Sequence, residues 1–199
     1  AILGLDIINV DACRDARIPV VLDSICASGG TIAPMLLQAL GCPTTQVNGE
    51  VTGLFPRMPE PIPANIVATG EAVRESGAAV GLVLDPDSDR LALLDHEGVP
   101  IGEEYTLALG IHSIRTRSNT NAPVAVNAST SRMVDDVGKQ LGFDVIRTKV
   151  GEINVVDGML GAGTELGGEG NGGMIYGPLH YGRDGLLGIA VILDLMART

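Results

Sequence analysis

Cysteine is sparse in this chain, and no two cysteines have the sequence spacing of a shared metal site. Cys13, Cys26 and Cys42 are odd in number and form no Cys-x-x-Cys pair. This argues against zinc and against a disulfide framework, and it suits a reducing, cytoplasmic setting. Basic residues are also in short supply. Lys and Arg number 13 against 24 Asp and Glu, a formal charge of −11. Nucleic acid and anionic membranes would both repel such a chain, so neither is expected as a partner. Long apolar runs are missing too. The longest, Leu186 to Met196, is interrupted by Gly188 and Asp194 and is too short to span a bilayer. The first residues lack the charged-then-apolar design of a signal peptide. Tryptophan is absent altogether.

What the chain has is apolar content of 45%, enough for buried cores, and 27 glycines, which favour tight loops and close backbone approach. Short apolar runs alternate with longer amphipathic stretches, the pattern of an α/β fold. Pro19–Asp23 reads as a strand, Ile32–Leu40 as a helix stopped by Gly41, and the Pro-rich stretch 55–63 as irregular. A helix over Asn65–Ser76 leads into an apolar strand, and Asp95–Gly98 reads as a hairpin turn. The second half repeats the plan. It has a helix over Glu104–Arg115, a polar loop over 116–122 and a strand at Pro123–Asn127. A helix capped by Ser131 follows, then a strand at Asp144–Arg147 and a helix over Ile153–Leu160. A last helix over Leu186–Met196 is capped by Asp184. Pro19-Val-Val-Leu-Asp pairs with Pro123-Val-Ala-Val-Asn, and Leu40-Gly41-Cys42 with Leu141-Gly142-Phe143. The expectation is two similar three-layer α/β domains, each a mixed sheet between helices, at 1–102 and 103–199.

The segment richest in chemistry is Asp85-Pro-Asp-Ser-Asp-Arg90, flanked on both sides by apolar, strand-like runs. A strand ending in such a loop aims Asp85, Asp87 and Asp89 at one point. A hard divalent cation such as Mg²⁺ relieves their repulsion, and Arg90 adds a fixed positive charge suited to a phosphate oxygen. An acidic surface turn is the plainer alternative. An EF-hand is excluded, because its sixth and twelfth positions would be Arg90 and His96 in place of Gly and Glu. A haloacid-dehalogenase-type phosphatase, with Asp85 as nucleophile and Asp87 as acid/base, stays open at this point, although Asp89 stands where Thr or Val is usual.

The matching place in the second half holds Gly167-Gly-Glu-Gly-Asn-Gly-Gly173. Its glycines satisfy a dinucleotide pattern formally, but a strand-like Met174-Ile-Tyr176 follows where a helix is needed, so that reading fails. A glycine-framed loop remains, offering Glu169 and Asn171 to sugar hydroxyls. Both are expected to do so without supporting the fold, and Gly173 is expected to tolerate Ala better than either. Lys149 is a candidate for a phosphate or sugar oxygen. His180 and Arg183 are candidates for an anion near the N-terminus of the last helix. A structural glycine turn and solvated side chains are the alternatives.

Taken together, these motifs resemble the α-D-phosphohexomutases, nearest in pattern to phosphoglucosamine mutase. The resemblance is carried by the Asp loop, Phe55-Pro with Pro59-Glu-Pro61, Arg147-Thr-Lys-Val-Gly-Glu152, the glycine loop and Gly182-Arg-Asp-Gly185, in family order. It implies the second and third of four domains. It implies an intramolecular phosphotransferase of the isomerase class, moving phosphate between O1 and O6 of a hexose or hexosamine phosphate through a phosphoserine and a bisphosphate. Asp85, Asp87 and Asp89 would hold Mg²⁺, with Arg90 and Lys149 in support. Lys149, Glu169, Asn171, His180 and Arg183 would meet substrate. The nucleophile motif Thr-Ala-Ser-His-Asn-Pro and the phosphate loop Arg-x-Ser-x-Thr-Glu-Pro are absent, and Arg117–Pro123 is only a passing likeness to the latter. Asn171 and Gly173 replace the usual Ser and His. The expectation is a partial chain, inactive alone, whose partners are the missing N- and C-terminal domains. A non-catalytic sugar-phosphate-binding module is the third alternative.

Overall fold

The computed structural model describes residues 1–118 and 120–199, and it shows two mixed sheets flanked by helices. After a short helix α1 (Val10–Ala16), the first sheet is built from β1 (Val20–Asp23), β2 (Thr44–Val47), β3 (Val80–Leu84) and β4 (Leu91–Leu94), in the order β2-β1-β3-β4. Helices α2 (Gly29–Ala39) and α3 (Val67–Ser76) provide the crossovers. Strand β1 runs parallel to β2 and β3, and β4 runs antiparallel to β3. Helix α4 (Glu103–Arg117) leads into the second sheet: β5 (Val124–Asn127), β6 (Val145–Thr148), β7 (Leu166–Glu169), β8 (Gly173–Tyr176) and β9 (His180–Arg183). Its order is β6-β5-β7-β8-β9, with α5 (Met133–Leu141) and α6 (Glu152–Ala162) as crossovers and α7 (Gly185–Met196) closing the chain. The first four strands of the second sheet thus repeat the order and directions of the first.

Alternation along the strands explains the layering. In the first sheet Val20, Leu22, Leu82, Leu84, Leu91 and Leu93 face a large core that includes α2, α4 and α7. Val21 and Val83 point the other way, where α3 covers them along with Ile66 and Leu94. The second sheet does the same. Val124, Val126, Leu166 and Met174 enter the large core, and Ala125 and Ile175 meet Val155 and Met159 of α6. Helices α4 and α7 lie between the sheets, packed on each other and on both β4 and β8. That placement accounts for their composition. Residues 187–194 of α7 are all buried, and α4 has no strongly polar face. Several of their polar groups are paired inside: Thr106 Oγ1 donates to Leu91 O at 2.7 Å, and Asp194 accepts from Arg117, Arg198 and the Asn9 amide.

Several elements differ from the sequence expectation. Strands β2, β7 and β9 and helix α1 were not expected. Helix α2 starts at Gly29, so Gly29 and Gly30 lie inside it. Helix α4 runs on to Arg117. The polar loop expected at 116–122, and with it the likeness at Arg117–Pro123, includes residue 119, which lies outside the described residues. Asp184 caps α7 as expected, its carboxylate accepting from Leu187 N at 2.9 Å. Ser131 Oγ accepts from Met133 N at 3.2 Å at the start of α5. No described helix is long and apolar enough to cross a membrane.

Candidate functional site

Strand β3 delivers Asp85 at its carboxyl end, the edge where parallel α/β sheets place their ligands. Beyond it the chain turns sharply. Ser88 N donates to Asp85 O at 3.1 Å, and Ser88 takes a left-handed φ of 64°. The turn folds the loop over its own first carboxylate, whose Oδ1 accepts from the Asp89 and Arg90 amides, both at 3.1 Å. Arg90 Nε donates to Asp85 Oδ2 at 2.6 Å. Ser28, just ahead of α2, holds the outer side of the turn through Pro86 O at 2.8 Å and the Ser88 hydroxyl at 2.9 Å.

This turn brings Asp85, Asp87 and Asp89 together, each offering a carboxylate oxygen within 4.8 Å of the others. Asp85 is buried, Asp87 exposed and Asp89 half-buried. Asp89 Oδ1 is buried without a hydrogen-bond partner. Desolvation and the Asp85 charge push the Asp89 carboxyl up to about 6, against the pull of Arg183. Three converging carboxylates, one of which carries an orphaned oxygen, are the donor set a hard divalent cation takes. The residues present therefore fit the cation that the sequence implied.

A buried brace under the loop was not singled out from sequence. Asp23, at the end of β1, is fully buried. Its oxygens accept from Ile25 N at 2.9 Å, Asn48 Nδ2 at 3.1 Å, Arg57 Nε at 3.0 Å and Thr69 Oγ1 at 2.6 Å. Arg57 also donates to Leu84 O at 3.0 Å, directly before Asp85. The Pro-rich stretch thus places an arginine that fixes the exit of β3.

The glycine segment is largely strand. Its residues form β7, a turn and β8, a hairpin that carries Glu169 at the end of β7 with 4% of its surface exposed. Glu169 Oε1 accepts from Asn127 Nδ2 at 2.6 Å and from Gly151 N at 3.2 Å, and Oε2 accepts from Arg183 Nη1 at 2.7 Å. The expectation that Glu169 plays no part in the fold is thereby overturned, because it ties three segments together. Asn127 occupies in β5 the place of Asp23 in β1. The Asp-for-Asn match between the halves was the available signal for it. Asn127, Glu169, Asn171 and Arg183 line a cavity of about 510 Å³ with Glu103, Glu104, Glu152 and Gly151. Burial, then the neighbouring Glu104, pushes the Glu103 carboxyl upward.

Arg183 has partners other than the anion expected at the N-terminus of α7. Its Nη2 pairs with Asp89, its Nη1 with Glu169, and its Nε lies 3.5 Å from Glu152 Oε2. The α7 terminus itself is spoken for, with Gly185 N donating to Ser88 O at 2.9 Å. His180 is exposed and bonded to Asp184 at 3.0 Å, away from the cavity lining. Lys149 is exposed beside Val150 and Gly151, which do line it. Arg147 is committed to α5 through Asp135 and the Thr130 carbonyl. Asp85, Asp87, Asp89 and Arg90 are therefore joined, through Arg183, to Glu169 and the Asn171 hairpin, whereas Lys149 and His180 lie at the rim or outside.

Two like α/β units meeting at such a cleft have the fold of phosphohexomutases. A solved phosphoglucomutase/phosphomannomutase family protein from Burkholderia thailandensis superposes with a TM-score of 0.84 at 25% identity, over 96% of this chain and 43% of its own. The Paramecium phosphoglucomutase parafusin shares the fold, with a TM-score of 0.80 at 18% identity. The chain belongs to the phosphoglucomutase/phosphomannomutase family: residues 2–98 match the model of alpha/beta/alpha domain II, and residues 102–199 that of domain III. Among curated relatives, a phosphoglucomutase/phosphomannomutase of Thermococcus kodakarensis is 35% identical over 193 residues, 96% of this chain and 42% of the relative. A Methanosarcina barkeri protein named a probable phosphoglucosamine mutase is 35% identical over 183 residues, 91% of this chain and 41% of the relative. The chain thus spans about two fifths of the length of these relatives.

Proposed function

We propose that this chain supplies the cation-binding and sugar-reading parts of a phosphosugar mutase that moves phosphate between O1 and O6 of a hexose or hexosamine phosphate. The observation that carries this reading is the convergence of three aspartates at the end of β3, linked through Arg183 to the Glu169 hairpin, in a chain of this family. Asp85, Asp87 and Asp89 would hold Mg²⁺, which would supply positive charge to the oxygens of a transferring phosphoryl group. Arg90, fixed by Asp85, adds a cation beside them. Glu169 uses three of its four acceptor positions within the protein, leaving one for a sugar hydroxyl. Asn171 Oδ1 accepts from Gly173 N, and its amide group serves as the donor. Phosphate reaches the sugar from a phosphoserine on a part of the enzyme whose motif this sequence does not contain, and it returns there. Lys149 at the rim of the cavity meets a phosphate or sugar oxygen.

The phosphatase alternative has no geometric support. Asp85 is buried, with Oδ1 accepting two amides and Oδ2 held by Arg90, which is not the posture of a nucleophile. Titration calorimetry with Mn²⁺ tests the cation site. Wild type is expected to bind one ion, and Asp87→Asn to lose about tenfold or more in affinity. Equal binding by both overturns the assignment.

A further inference from the structure

Among the described residues, Arg183 is the side chain that pairs with both loops. It leaves β9 across the face of the hairpin, and the space it crosses is opened by Gly173, because a Cβ there would overlap Arg183 Cδ. Glycine at this position, where the family resemblance leads one to expect histidine, therefore goes with the arginine arm. From that channel the guanidinium reaches Asp89 on one side and Glu169 on the other, from sequence positions 94 and 14 residues away. Glu152 fixes its base, accepting from the Arg183 amide at 2.8 Å.

We infer that Arg183 is a positioning residue that couples the cation site to the sugar hairpin. This rests on the cation site proposed above. Arg183 and a cation compete for the negative charge of Asp89. Arg183 Nη2 donates to Asp89 Oδ2. A cation on Asp85, Asp87 and Asp89 draws that charge away and repels the guanidinium, so Arg183 shifts toward Glu169 and Glu152 and turns an N–H to the cavity it lines. Cation occupancy thereby makes a donor available to a sugar or phosphate oxygen. By linkage, a ligand that holds Arg183 strengthens cation binding to the same degree.

Backbone hydrogen bonds also hold the Asp loop: Leu91 N to Gly172 O of the hairpin at 3.2 Å, and Gly185 N of α7 to Ser88 O at 2.9 Å. They do not involve the guanidinium and persist when it is displaced, so variants can separate the two routes. Gly173→Ala moves the arm without removing its charge, and Arg183→Lys keeps charge but loses the fork that spans two carboxylates.

The experiment is Mg²⁺ titration followed by calorimetry and by amide hydrogen exchange of residues 166–183, with thermal midpoints recorded for each protein. In wild type, Mg²⁺ is expected to accelerate exchange in the 169–173 turn by about threefold, the size of one half-exposed ion pair. Both variants are expected to bind Mg²⁺ yet show no such response, even where their midpoints fall. Should one variant fail to fold, the other decides. Mg²⁺ heat in wild type without a hairpin response overturns the coupling alone, as does an undiminished response in a folded variant. Absence of Mg²⁺ binding in wild type overturns the cation site, and the coupling with it.

Discussion

At the scale of single residues, the most telling group is Asp89. Its carboxyl is raised from 3.8 to about 6, so the folded chain holds that proton to a higher pH than an ordinary aspartate does. The sign follows directly. Its contribution to stability is present at low pH and is lost as pH rises from the ordinary aspartate value of 3.8 to about 6. A cation must displace that proton. Mn²⁺ affinity is therefore expected to be flat above pH 7 and to fall by about tenfold per unit below pH 6, read by calorimetry. The rise in thermal midpoint on adding Mn²⁺ is correspondingly larger at pH 7 than at pH 5. Glu169 gives a second prediction. Glu169→Ala strands Arg183 and Asn127 in a buried setting and is expected to cost about 3 kcal/mol of stability in urea denaturation. In the complete enzyme Asn171→Ala is expected to lower kcat/KM about tenfold or more while leaving stability nearly unchanged.

At the scale of elements, the Asp loop works because its entry and exit are both held. Arg57 spans Asp23 and the last carbonyl of β3, so Arg57→Ala leaves a fully buried carboxylate short of its charged partner. The expected cost is about 3 kcal/mol, with weaker Mn²⁺ binding as the loop loosens. Stability unchanged in urea denaturation would show that Asp23 is satisfied without it. The elements legible in the sequence were those whose own residues declare them. Strands β1, β3 and β5 are continuous apolar runs, and α7 has both its cap and its buried composition. Strand β2, Thr44-Thr-Gln-Val, is an edge with three exposed residues and carries no apolar signal. Strand β7, Leu-Gly-Gly-Glu, is a strand only because β5 and β8 pair with it on either side. Its glycines answer to close approach, since a Cβ on Gly167 would lie 2.6 Å from Ala125 O. The aspartate triad was readable because its three carboxylates lie within five residues of sequence. Arg183 was read as a phosphate or anion ligand because its three carboxylate partners come from distant segments, which only the packing of the two sheets brings together.

At the scale of the whole molecule, both sheets contribute one face to a single apolar core around α4 and α7. Scanning calorimetry is accordingly expected to show one cooperative transition, not two. The chain on its own is expected not to interconvert hexose 1- and 6-phosphates, because mutase chemistry needs an activated nucleophile near the sugar. Turnover in a coupled assay would overturn that expectation.

The placement of α4 and α7 between the sheets has one more implication. Helix α4 follows the first sheet in sequence and yet lies against β8, and α7 follows the second and yet lies against β4. Both helices lie beyond Gly102, so one face of the first sheet is covered by helices of the second half. If the backbone were cut in the turn around Gly102, neither piece could close its own apolar face, but each would carry the surface that the other needs. The two pieces should behave as obligate partners: insoluble or molten when made singly, and reassembling when made together into a particle that binds Mn²⁺ as the unbroken chain does. A covalent repeat of this kind is, physically, a dimer whose subunits happen to share one polypeptide.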